Sequence, residues 1–221
     1  MRKLIIGVSL FLTVSVLTAQ PKFSGSLGFG YASPNYKSFA KSPFPKRGFF
    51  ESVMLHASFA YQFYSNARVG YNQWTAFTSD KYSGEDFKRS FRYRAISIET
   101  FFHIRKKFEL NFTLAPMINS GKISLVSSQS SAAWDSLMVE FNNSGIKVSD
   151  TDDMTKTFLG LTSSIGVRYY VKPFLAIDGK IGFLETYYKS DSWKFHGKAI
   201  KGPDIDISDM PLFSFSLVYG W

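Results

Sequence analysis

The chain has no cysteine, three histidines and no apolar run long enough to cross a bilayer as a helix. Without thiols there is neither a disulfide framework nor a Cys-ligated metal, which suits an oxidising compartment where stray thiols are a liability. His56, His103 and His196 lie far apart along the chain and do not make a three-histidine metal site. The acids Asp150, Asp152 and Asp153 cluster without the glycine and glutamate of a calcium loop. No metal and no cofactor is expected. The one apolar run, Leu4 to Leu17, is about 14 residues long and falls short of the ~20 that a spanning helix needs. Preceded by Met1-Arg2-Lys3 and closed by Leu17-Thr18-Ala19, it reads as an export signal, residues 1–19, cleaved before Gln20. Residues 20–221 then form one domain. Its 24 basic residues against 17 acidic ones leave it moderately basic. It lacks any Lys/Arg-rich helix or recognised motif, so nucleic acid is excluded as a partner and anionic lipopolysaccharide is favoured.

What the chain has in quantity is aromatic residues, 18% of the whole, arranged in strict alternation. In Phe23–Ala32, Phe23, Leu27, Phe29 and Tyr31 share one face and Ser24, Ser26, Gly28 and Gly30 the other. Ser52–Tyr64 alternates in the same way and turns at Ser65-Asn66 into Val69–Phe77. Phe91–Ile104 turns at Arg105-Lys106-Lys107 into Phe108–Ile118, and Leu159–Tyr169 turns at Lys172-Pro173 into Leu175–Tyr187. The last strand places Phe213, Phe215, Leu217, Tyr219 and Trp221 on one face. Three short joins alternate with four long ones, at Ser33–Glu51, Ser79–Ser90, Gly121–Lys156 and Lys189–Asp209. The count is eight. It becomes ten if Lys122–Val126 and Phe141–Val148 pair as an extra hairpin rather than an external extension.

Strands with one continuously apolar face need hydrocarbon against that face, and in hydrocarbon only an edge-free sheet satisfies its backbone. The sequence therefore predicts an all-β fold, an eight-stranded antiparallel up-and-down transmembrane β-barrel, with short turns at one end and long loops at the other. The ending from Phe213 to Trp221 resembles the C-terminal signal strand of bacterial outer-membrane β-barrels, which implies recognition by the barrel-assembly machinery. The pattern from Phe23 to Trp221 resembles the small barrels of the OmpA and OmpX type and, more loosely, the Bacteroidota outer-membrane barrel family in which PorT-like secretion proteins fall.

On the opposite parity lie Arg68, Asn72, Glu99, His103, Glu109, Asn111, Arg168, Asp178 and Lys180. An eight-stranded lumen is just wide enough to be filled by side chains, so charges there must pair. A network of Glu99, Glu109 and Asp178 with Arg68, Arg168 and Lys180 is the expected plug, as similar barrels have. His56 and Ser58 share a face and suggest a base with a nucleophile, as in lipid A-modifying hydrolases, but no third orienting carboxylate is in view. In the third long join, Ser131 caps a short external amphipathic helix in which Trp134, Leu137, Met138 and Phe141 form an apolar stripe; it either covers the barrel mouth or the extended hairpin, or serves as a docking face for another envelope protein. Aromatic and basic residues crowd the first and fourth long joins, Phe39, Phe44, Lys46 and Arg47 in one and Trp193, Lys194 and Lys198 in the other. The expectation is a non-enzymatic barrel acting through its external loops. Its rivals are an accessory subunit of a secretion or uptake complex, a hydrolase and a small pore.

Overall fold

The computed structural model describes residues 22–33, 35–38, 52–82, 85–126 and 151–220. The expected export signal, the stripe Trp134–Phe141, the stretch Phe141–Val148 and Trp221 lie outside the described residues. Among the described residues there are twelve strands: β1 (Phe23–Ala32), β2 (Asn35–Ser38), β3 (Val53–Tyr64), β4 (Ala67–Tyr82), β5 (Glu85–Arg105), β6 (Phe108–Val126), β7 (Thr151–Lys172), β8 (Leu175–Thr186), β9 (Trp193–Phe195), β10 (Lys198–Ile200), β11 (Asp204–Asp206) and β12 (Met210–Gly220). Eight of them form a closed antiparallel ring in the order β1-β3-β4-β5-β6-β7-β8-β12, with β12 pairing back onto β1. Three joins, at residues 65–66, 106–107 and 173–174, are two-residue turns at one end.

The outer face is apolar: Leu27 is 72% exposed, Ile96 63% and Phe215 59%. On a closed barrel such a surface is stable against hydrocarbon and not against water. Aromatic rings gather at the turn end, where Phe23 and Tyr61, Phe108 and Tyr169, and Phe174 and Tyr219 sit with ring centroids 5.0, 5.0 and 5.8 Å apart. They form one of the two girdles that interfacial aromatics make on such barrels.

The strands run past this belt, which revises the expected joins. Ser79–Ser90 is not a long loop, because β4 continues to Tyr82 and β5 begins at Glu85, paired residue by residue. Lys122–Val126 extends β6 and pairs with Thr151–Thr155 of β7, so its partner is not Phe141–Val148. The reason is an inversion of polarity within one strand. Along β5, Ile96 and Ile98 point outward and Ser97 and Glu99 inward; beyond Ala95, Arg92 and Arg94 take the outward positions and Phe91 and Tyr93 are buried inside. The period of two persists while the apolar face changes sides, so the strand leaves the hydrocarbon without ending.

The fourth long join is also ordered. The hairpin β9–β10 extends β7 through Met154 opposite Phe195, and β11 pairs with β2 of the first join. Trp193 is fully buried, donates from its indole N–H to the Tyr188 hydroxyl at 2.9 Å, and lies flat on Gly202. A Cβ at residue 202 would stand 2.1 Å from the indole, so only glycine admits the ring. Ile205 and Ile207 close over the barrel end, packing with Met54, Trp74, Phe91, Tyr93, Phe158 and Leu184 into an apolar core. Burying each large side chain there is worth about 1.5–3 kcal/mol.

Candidate functional site

The lumen is stratified. At the turn end, the register sets cations opposite carboxylates on neighbouring strands: Arg68 faces Glu99, Glu109 faces Arg168, and Arg168 faces Asp178. Glu99 accepts from Arg68 at 2.8 Å, from Arg168 at 3.3 Å, from the Thr113 hydroxyl at 3.2 Å and from the Lys180 ammonium. Glu109, with no exposed surface, takes both terminal nitrogens of Arg68 at 2.7 Å and the Tyr170 hydroxyl at 2.7 Å. Asp178 takes two nitrogens of Arg168, at 3.1 and 2.7 Å, and the Asn111 amide at 3.2 Å. The Arg68 guanidinium also lies over the Phe101 ring at 3.7 Å. Three cations and three carboxylates thus meet across five strands with no net charge. Desolvating ions costs several kcal/mol each, and multiple partners of this kind are what offset it.

Above this layer lies a hydroxyl and imidazole belt. His56 Nδ1 stands 2.8 Å from Ser216 Oγ although β1 runs between their strands. The bridge passes over Gly28, where a Cβ would come within 2.0 Å of the Phe215 carbonyl and 2.6 Å of Ser216 Oγ. The other ring nitrogen is 3.4 Å from the Asn72 side-chain oxygen, and the imidazole stacks on Trp74 at 4.9 Å. Ser58 bonds to Ser26 at 2.7 Å and is not the partner of His56. The suggested pairing of His56 with Ser58 is therefore not assembled. The void between the two polar layers is about 30 Å³, lined by Ser26, His56, Asn72, Glu99, Lys180 and Ser216 among others. That is room for about one water and not for a substrate. Beyond it a largely apolar core runs toward the loop end, with Asn119, Arg89 and Lys156 buried among its inward positions.

All six charged residues predicted for the lumen are thus brought together, and Asn111 joins them. His103 sits at the margin, 6.2 Å from the Tyr170 ring. Phe213, Phe215, Leu217 and Tyr219 lie exposed on the outer face of β12. Sequence reasoning missed Tyr170 and Thr113, although both share parity with predicted lumen residues on their own strands. It also missed the apolar plug, whose signal was the inverted alternation beyond Ala95.

No protein-family model matches the sequence, and no curated protein matches it. Solved structures do. The outer membrane protein OprG from Pseudomonas aeruginosa aligns at a TM-score of 0.51 and 11% identity, over 91% of this chain and 96% of that one. Neisserial surface protein A (NspA) aligns at 0.50 and 14%, over 90% and 97%. Ail, the attachment invasion locus protein of Yersinia pestis, gives 0.46 and 13%, over 91% and 97%. At such identities the likeness is one of architecture, and the first two structures carry it: the chain has the fold of the small outer-membrane β-barrels.

Proposed function

We propose that the protein is an integral outer-membrane β-barrel that neither conducts nor catalyses, and that acts as a structural or interaction protein through the ordered extension at its loop end. The observation that carries this reading is the filled lumen. A charge-neutral layer, a polar belt and an apolar core follow one another, with about 30 Å³ left between the polar layers. A pore needs continuous water, and a hydrolase needs room for substrate beside its nucleophile. The short turns face the periplasm and the extension faces outward, following the asymmetry common to such barrels. Export by residues 1–19, delivery by the barrel-assembly machinery through the Phe213–Trp221 strand, and contacts with lipopolysaccharide belong to the same proposal. So does a place among the Bacteroidota barrels.

The test is reconstitution into planar bilayers. The expected result is a detergent-requiring protein that leaves the membrane silent at every voltage; stepwise conductance, or solubility without detergent, overturns the reading. Gentle extraction from cells that yields the barrel only within a fixed complex would transfer the role to an accessory subunit.

A further inference from the structure

Just beyond the apolar belt, one wall of the barrel is basic. Along β5 the outward positions are Arg94, Arg92, Ser90 and Lys88. Lys122 of β6 stands directly opposite Ser90, and Thr155 separates it from Lys194 of β9. Neighbouring strands are about 4.8 Å apart and diagonal neighbours about 7–8 Å, so Arg92, Lys88 and Lys122 surround one point. On the outward faces of β4–β7 and β9 in this zone, among residues with described side chains, the one carboxylate is Asp153, paired with Lys122. The surface is concave here, enclosing about 380 Å³ against Phe77, Ser79, Lys88, Ser90, Lys122 and Ser124. At the loop ends of β8 and β12 the charged groups are instead Glu185 and Asp209, joined by a hydrogen bond from the Asp209 N–H.

Asp153 offsets one of the charges of Arg94, Arg92, Lys88 and Lys122 and leaves the patch net positive; like charges gathered about a concave patch favour a further anion, and hydroxyls beside guanidinium and ammonium groups suit phosphate oxygens. Directly below, on the same strands, Ile96, Ile98, Leu114 and Ile118 face outward and exposed. A free anion would make no use of that apolar strip, whereas acyl chains attached to the same headgroup would lie along it. We infer that Arg92, Lys88 and Lys122 bind the phosphorylated headgroup of one membrane lipid, whose chains run down the outer face of β5 and β6. This rests on the membrane orientation given under the proposed function.

The experiment is native mass spectrometry of the full barrel in detergent. It is offered diphosphoryl lipid A, or the same lipid without its phosphates, with inorganic phosphate as a separate arm. The wild type should retain the phosphorylated lipid about tenfold better than the phosphate-free one, and Arg92→Gln with Lys122→Gln should erase that difference. Lys106→Gln with Lys107→Gln, at the turn end, should preserve it. Equal retention of the two lipids, wild-type retention by the first double variant, or displacement by millimolar inorganic phosphate each overturns the inference. Gel mobility before and after heating reports barrel folding in every sample. A folded, detergent-requiring barrel that ignores the phosphates refutes the lipid site and leaves the proposed function standing.

Discussion

Replacing Glu109 by glutamine removes a carboxylate that has no exposed surface and accepts hydrogen bonds from Arg68 and Tyr170. Arg68, Arg168 and Lys180 then face only Glu99 and Asp178, leaving one positive charge uncompensated in a lumen without room for bulk water. Breaking a buried pair from one side costs about 3–5 kcal/mol. Arg68→Met, which keeps the length of the side chain beside Phe101, leaves one uncompensated negative charge and a loss of similar size. The double variant restores neutrality. Its loss should fall short of the sum of the single losses by about 3 kcal/mol, the upper range for residues in one network. The assay is urea unfolding of the refolded barrel in lipid vesicles, followed by tryptophan fluorescence and by the shift in gel mobility on heating. Two results refute the reasoning. Single losses below about 1 kcal/mol would mean that the ions are solvated as at a surface. Strict additivity would mean that the charges do not act as one cluster.

Gly28→Ala places a methyl 2.0 Å from the Phe215 carbonyl and obstructs the bond between His56 and Ser216. A loss of about 1–3 kcal/mol is expected in the same unfolding assay, and an unchanged midpoint would show that the bridge over β1 does not form. For Asp153, outside the apolar belt, partial burial opposes ionisation, but the Lys122 ammonium and the Ser124 hydroxyl outweigh it and hold the carboxyl below its usual value. A depressed acid stabilises the fold above its unfolded pKa, and the contribution is lost as pH falls through the folded one. Both side chains of the pair are 40% exposed or more, so the effect is at most about 0.5 kcal/mol. A carboxyl-carbon NMR titration should give a low midpoint for Asp153 that rises in Lys122→Gln, and equal midpoints would dismiss the pair.

The barrel was legible because hydrocarbon imposes a period of two with one apolar face, which Ile96, Ile98, Phe213 and Phe215 display without interruption. The lumen charges followed from parity alone, since each strand has one register of inward positions and Arg68, Glu99 and Asp178 occupy them. Which cation meets which carboxylate was not legible. That depends on the stagger between strands, and a two-residue turn such as residues 65–66 fixes it only once its bulge is known. The strand extensions escaped notice because a search for an apolar outer face stops where Arg94 and Arg92 appear, although Tyr93 and Phe91 carry the alternation onward from the other side. Interleaving of β9 with β7 and of β11 with β2 joins segments distant in sequence through two and three residue pairs, too short for any periodic signal.

The reversal of polarity along β5 also fixes a waterline on the protein. One residue pair along a strand spans about 6.6 Å. Sinking by that amount would carry Arg94 to the edge of the hydrocarbon, where an arginine costs up to about 1 kcal/mol, and each further step would add Arg92 and raise the cost toward the about 2–4 kcal/mol of the midplane. Rising by as much would strip lipid from Ile96 and Tyr71, at about 25 cal/mol for each Å² laid bare. The barrel therefore floats at one depth, and whatever meets its outer extension meets it at a constant height above the bilayer.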